Sequence, residues 1–151
     1  MKKEISTANL KDIPELIRML TILFSRDIEF EPNREKQHDG ILQIINHPEI
    51  GEILILRGNG QIIGMVSLLY SISTAMGGKV AILEDMIIDP SFRNIGLGSE
   101  LLKSAIEFAK ERNCLRITLL TDFDNEIAIH FYENFKFSKS SMIPMRLIFE
   151  S

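Results

Sequence analysis

The sequence predicts an α/β (α+β) fold: helices flanking one mixed, mostly antiparallel sheet, in the order β-α-α-β-β-β-α-β-α-β. Three observations carry this prediction. Helical and strand-like hydrophobic periods succeed each other along the whole chain. Residues 52–89 hold three strand-rich runs separated only by short glycine-bearing turns. A strand that stops at Pro90 then gives way, through Gly96 and Gly98, to a strongly amphipathic helix.

Residues 2–6 form a short first strand. Asp12 before Ile13-Pro14-Glu15 combines a polar cap, an early proline and an acidic first turn, which together start a helix. Ile13, Leu16, Ile17, Leu20 and Phe24 follow at helical spacing. Residues 25–37, with Asp27, Glu29, Glu31, Arg34 and Glu35 around Pro32, read as an acidic loop leading into a second helix that ends near His47-Pro48. Strand formers fill residues 52–56 and 61–73, and Asn59-Gly60 between them is a hairpin turn because both residues accept positive φ. After Ala75-Met76-Gly77-Gly78, residues 79–89 are apolar on both faces except at Glu84-Asp85, the pattern of a buried central strand. Leu97, Leu101, Leu102, Ala105, Ile106, Phe108 and Ala109 line one face of the next helix. A short buried strand at 115–121, a helix at 125–135 and a last strand at 142–149, interrupted by Pro144, complete the order. No repeat, low-complexity segment or linker composition divides it, so residues 1–151 read as a single domain.

Composition narrows the function classes. With 45% hydrophobic and 25% charged residues, the balance is that of an ordinary globular protein. A net charge of -4 disfavours a nucleic-acid partner. No apolar run approaches the ~20 residues that cross a bilayer, and no apolar stretch follows Lys2 and Lys3 to make a signal peptide. Cys114 is the only cysteine, which excludes an intrachain disulfide and a cysteine-based zinc site, and the spacing of His38, His47 and His130 suggests no metal site. The expectation is a cytoplasmic protein without metal, membrane or nucleic-acid partner, for which a homodimer stays open.

The chemistry concentrates in Arg93-Asn94-Ile95-Gly96-Leu97-Gly98-Ser99. The first turn of a helix leaves its amides unpaired at the positive end of the macrodipole, where a pyrophosphate is a natural ligand. Glycines allow close approach, and Arg93 adds charge. By itself such a segment is equally a tight turn without a ligand. A Rossmann fingerprint fits poorly, because Glu100 and Leu101 stand where a third glycine would fall, and the Gly-Lys-Ser/Thr ending of a Walker loop is absent.

The wider window, Leu83-Glu84-Asp85-Met86-Ile87-Ile88-Asp89-Pro90-Ser91-Phe92-Arg93-Asn94-Ile95-Gly96-Leu97-Gly98-Ser99, resembles the central motif of the GCN5-related N-acetyltransferase (GNAT) superfamily, Gln/Arg-x-x-Gly-x-Gly/Ala after a strand-ending proline. A second family motif, Asn-x-x-Ala-x-x-Phe-Tyr followed by Gly-Phe, is matched by Asn125-Glu126-Ile127-Ala128-Ile129-His130-Phe131-Tyr132 and then Lys136-Phe137. The chain departs from the family at Asn94, often glycine, where Asn tolerates positive φ, and at Lys136, which replaces the glycine after the second helix.

This resemblance implies an acetyl-coenzyme A-dependent transfer to a primary amine of a small molecule. The amides of residues 93–99 would cradle the pyrophosphate, and the strand backbone at Met86, Ile87 and Ile88 would pair with the pantetheine arm. The Met86 N–H would polarise the thioester carbonyl, and Asn125 would bond the pantetheine. Tyr132 would protonate the leaving thiolate; its spacing alone equally suits a packing residue beside Phe131 and Phe135. Glu84 is favoured as the base that deprotonates the amine, with Asp85 second, and alternation sends the two to opposite faces unless a bulge intervenes. The family builds its acceptor pocket from the regions matching residues 24–39 and 70–78, which here bring Asp27, Glu29, Glu31, Glu35, Phe30, Tyr70 and Met76. A protein lysine or N-terminal acetyltransferase, and a non-catalytic acyl-coenzyme A-binding regulatory domain, are the alternative readings.

Overall fold

The computed structural model describes residues 1–25 and 32–150, so Asp27, Glu29, Phe30 and Glu31 of the expected acceptor loop lie outside the described residues. The chain divides into two compact units, Met1–Leu120 and Thr121–Ser151.

The first unit carries a five-stranded sheet whose spatial order repeats the chain order: β1 (Lys3–Thr7), β2 (Gly51–Gly58), β3 (Gln61–Ser73), β4 (Gly78–Ile88) and β5 (Ile117–Leu119). The first three junctions are antiparallel; β4 and β5 run parallel. Asn59 and Gly60 turn the β2–β3 hairpin with φ of 51° and 81°, as their residue types require. The parallel junction needs a crossover, which α3 (Leu97–Glu111) supplies. Between β1 and β2 the chain forms α1 (Ile13–Phe24), with Pro14 in its first turn, and α2 (Arg34–Asn46), capped by the Asn33 side chain on the Lys36 N–H.

Strand alternation sorts the core into two layers. Ile53 and Ile55 of β2 join Ile62, Met65 and Ile87 in packing against Ile13, Leu16, Ile17, Leu20 and Ile41 of the first two helices. Leu54 and Leu56 face the other way, Leu56 with its register partner Gly64, and there α3 packs. A Cβ on Gly64 would meet Ile88 Cδ1 at 2.7 Å and Leu101 Cδ2 at 3.3 Å, so only glycine lets α3 and β4 approach this closely. Two part-buried ion pairs tie helices to strands: Arg57 to Asp12 at 2.6 Å, and Arg112 to Glu52 at 2.8 Å. Glu52 also accepts the Tyr70 hydroxyl at 2.8 Å.

The second unit holds α4 (Glu126–Glu133), shorter than the helix expected at 125–135, with Asn125 as its cap: Oδ1 accepts the Ala128 N–H at 3.1 Å. Past its end Lys136 takes φ of 71°, the left-handed conformation that the family's glycine adopts freely. Two strand expectations need correction. β5 spans Ile117–Leu119 where residues 115–121 were expected, because its parallel ladder with β4 is limited to Ala81, Ile82 and Leu83. The expected last strand at 142–149 is irregular. A strand exists only by pairing, the described part of its unit holds no other strand, and Pro144 has no N–H to contribute.

Candidate active site

The two acids of β4 sit at a break in the β3–β4 register. Ser67 pairs with Glu84 and Met65 with Ile87, so Asp85 and Met86 together oppose Val66, and Asp85 takes φ of 54°. This is a β-bulge, which removes a residue from the ladder and re-aims its side chain. Glu84 stays in register on the face of Ser67 and Ile53, exposed to solvent. Asp85 is half-buried, and burial first, then the neighbouring charge of Glu84, pushes its carboxyl up to about 6.

Beyond the bulge the opposite edge of β4 opens. β5 pairs only with Ala81, Ile82 and Leu83, so from Glu84 to Ile88 that edge meets no strand among the described residues. Met86 is half-buried here, while Ile87 and Ile88 are anchored in the core at 5% and 9% exposure. An unpaired strand edge is a template for an extended ligand with amide groups.

β4 ends in a braced corner. Asp89 caps the 3-10 turn Pro90–Phe92 by accepting the Ser91 N–H at 2.9 Å, and it binds Arg18 of α1 at 2.9 Å. The Ser91 bond first, and then Arg18, hold its carboxyl below the usual range. Arg93 turns back to donate its Nε–H to the Ile88 carbonyl at 3.0 Å. Asn94 and Gly96 adopt φ of 66° and 84°, and open space surrounds the position of a Gly96 Cβ. Gly96 caps α3 without a side-chain bond, and the Glu100 N–H to the Gly96 carbonyl (3.2 Å) marks the start of the helical ladder. The N–H groups of Leu97, Gly98 and Ser99 therefore lie ahead of it, beside the exposed Asn94 and Ile95. A first turn of this kind suits a phosphate group.

The remaining expected residues, Asn125 and Tyr132, belong to the second unit. Tyr132 makes edge contacts with Phe131 and Phe137, at centroid distances of 5.2 Å and 5.7 Å. Burial raises its phenol, which therefore keeps its proton at neutral pH. Among the histidines, His47 closes α2 by bonding the Gln43 carbonyl (2.8 Å), and His38 and His130 are exposed. A cavity of about 540 Å³ lies between α1 and α2, lined by Ile17, Arg34, Glu35, His38 and Asp39 and by no residue of β4 or the glycine turn.

Two residues around the site were not singled out from the sequence. Asp89 is betrayed by Asp-Pro-Ser, an Asx-turn signature at a strand end. Ser67 stands as a lone hydroxyl in a run of apolar strand formers.

Comparison with known proteins identifies the family and the fold. The family model described as acetyltransferase (GNAT) matches residues 14–137. Over 79 residues the chain is 33% identical to the glucosamine 6-phosphate N-acetyltransferase of Trypanosoma brucei brucei, a match covering 52% of each. The aminoalkylphosphonate N-acetyltransferase of Salmonella typhimurium is 24% identical over 144 residues, 91% of this chain and 90% of that one. A predicted acetyltransferase from Clostridium acetobutylicum, in a crystal structure with acetyl-CoA, superposes with a TM-score of 0.77 at 17% identity, covering 96% of both chains, a likeness of fold. The chain spans about half the length of the first curated relatives it matches, between 38% and 58%.

Proposed function

The chain belongs to the acetyltransferase (GNAT) family, and from that premise we propose that it moves the acetyl group of acetyl-coenzyme A directly to the primary amine of a small molecule. The observation that carries this reading is the succession of three features along β4 and into α3: a desolvated carboxyl at a bulge, an open strand edge, and an uncapped helix N-terminus. Relatives named for a phosphorylated amino sugar and for an aminoalkylphosphonate support a small amine as acceptor.

The cosubstrate supplies an activated acetyl thioester, and the residues present suit it. Arg93 and the amides of Asn94, Ile95, Gly96, Leu97, Gly98 and Ser99 would hold the pyrophosphate. The free edge at Met86, Ile87 and Ile88 would bind the pantetheine amides, and the Met86 N–H would donate to the thioester carbonyl as negative charge develops there. Asn125 keeps the pantetheine-bonding role that the family resemblance implies. Asp85 takes the role of base. A carboxyl near 6 is ionised at neutral pH yet basic enough to accept a proton from an ammonium, as effective proton transfer requires. Glu84, exposed beside it, attracts the cationic amine before that transfer. The neutral nitrogen would then form the C–N bond as the C–S bond breaks; the sulfur would take the Tyr132 phenol proton, and the second amine proton, lost as the amide forms, would restore that phenol.

Thiol release should be followed with acetyl-coenzyme A and a panel of amino sugars, polyamines, aminoalkylphosphonates and peptides. Turnover is expected on a small amine, falling as pH drops through about 6 because Asp85 must be deprotonated. Tyr132→Phe should slow it by roughly 10²-fold or more with unchanged cofactor affinity. Absence of any affinity for coenzyme A would defeat the reading, and exclusive turnover on peptides would replace the acceptor class.

A further inference from the structure

Asp89, at 8% exposure, gives its two carboxylate oxygens to different partners. Oδ1 accepts the Ser91 N–H at 2.9 Å and so caps the turn that leads to Arg93. Oδ2 accepts a bond from the Arg18 guanidinium of α1, also at 2.9 Å. The backbone of this corner is held without Arg18: the Asp89 N–H donates to the Ile63 carbonyl at 2.7 Å, and the Phe92 N–H to the Asp89 carbonyl at 2.9 Å. What Arg18 adds is therefore charge. A carboxylate makes a stronger cap than a neutral amide, because hydrogen bonds to an ionised acceptor are roughly twice as strong. That gain brings a negative charge next to the segment read as binding phosphates. A 3-10 turn rises ~2 Å per residue, which puts the start of the glycine turn within about 10 Å of Asp89. Arg93 also folds back onto the carbonyl of the peptide that joins Ile88 to Asp89. At that separation an uncompensated carboxylate would repel a pyrophosphate.

We propose that Arg18 is a positioning residue for the cofactor: by pairing with Asp89 it lets that carboxylate cap the turn without repelling the pyrophosphate bound beyond it. The inference rests on the reading of residues 93–99 as the pyrophosphate turn and deepens it. Among the described residues, Arg18 is the cation that forms an ion pair with Asp89. Its other partner, Glu15 at 3.1 Å, is exposed, so water screens that contact more than the one to Asp89. The charge to be offset is present at neutral pH, because the Ser91 bond first, and then Arg18, hold the Asp89 carboxyl low.

The test is coenzyme A affinity by calorimetry on the full chain, for the parent, Arg18→Gln, Arg18→Lys, Asp89→Asn and the double variant Arg18→Gln with Asp89→Asn. Arg18→Gln leaves the carboxylate uncompensated and should weaken binding about tenfold or more. Lysine returns the charge and should recover most of the affinity. Asparagine still caps the turn but carries no charge, so Asp89→Asn should weaken binding less than Arg18→Gln does. Adding Asp89→Asn to Arg18→Gln should then restore most of the lost affinity. Parental affinity in Arg18→Gln would overturn the proposal. So would a double variant as weak as Arg18→Gln, because a brace between α1 and the corner is lost in both. Should Arg18→Gln not fold, the double variant decides: affinity within about threefold of the parent supports the proposal, and a loss of about tenfold overturns it. A parent that binds no coenzyme A would sink the acetyl-transfer reading and this inference together. Binding by the parent with equal affinity in Arg18→Gln would sink the Arg18 role alone.

Discussion

Replacing Asp85 with Asn should stabilise the folded chain at neutral pH while it abolishes acetyl transfer. The substitution is clean because Asp85 sits at φ of 54°, where Asn is at least as comfortable as Asp, so charge is removed without added backbone strain. Burial and Glu84 raise the carboxyl from an ordinary 3.8 to about 6. Keeping it ionised in the fold therefore costs about 3 kcal/mol well above that value, or about 2 after allowing for its partial contact with water. The sign follows from proton binding. The folded state holds the proton more tightly than the unfolded one, so the penalty is full above about pH 7, shrinks through pH 6 to 4, and vanishes below the unfolded value. Urea unfolding followed by circular dichroism should give Asp85→Asn an advantage of about 2–3 kcal/mol at pH 8 and none near pH 3.5. The melting temperature at pH 8 should rise by about 5–10 °C. An advantage of equal size at both pH values, or a loss at pH 8, would refute the desolvated-carboxylate argument and with it the choice of base.

Other substitutions probe separate parts of the structure. Gly96→Ala meets open space but must hold φ of 84°, so it should cost about 1–2 kcal/mol in urea unfolding and weaken coenzyme A binding by calorimetry; unchanged affinity would remove the turn from the binding site. Glu52→Gln leaves the Arg112 guanidinium without its carboxylate and should cost about 1–3 kcal/mol, detected by thermal unfolding. A neutral result would mean that α3 does not need this clasp. Lys136→Gly relieves a left-handed lysine and should stabilise the chain by about 0.5–1 kcal/mol, with a destabilised variant arguing that the Lys136 side chain has a role of its own.

Much of the fold was legible because its signals are local. Asn59-Gly60 can turn a hairpin with nothing beyond its own φ preferences, and Pro14 suits a first helical turn, whereas the Asp12 side chain does not cap α1 as expected but accepts the Asn9 N–H and binds Arg57. The glycine turn was legible for the same reason: positive φ at Asn94 and Gly96 follows from residue type. Where a segment depends on a partner, local signals mislead. Residues 142–149 have strand-like composition, yet pairing decides whether a strand forms, and β5 is cut to Ile117–Leu119 by the extent of its ladder with β4.

The acid pair marks the same division most sharply. The strand was legible from Leu83-Glu84-Asp85-Met86, and the wider motif window offered Glu84 and Asp85 as candidate bases, with Glu84 favoured. Which of the two is desolvated is a property of the β3–β4 register, because the bulge between Met65 and Ser67 takes Asp85 out of the ladder and leaves Glu84 in it. Residue types and their spacing determined the cofactor-binding turn and the order of elements, since those need only backbone preferences and hydrophobic period. The proton affinity of Asp85 and the open edge of β4 arose only on assembly, because burial and cross-strand distance do not exist until the strands are side by side.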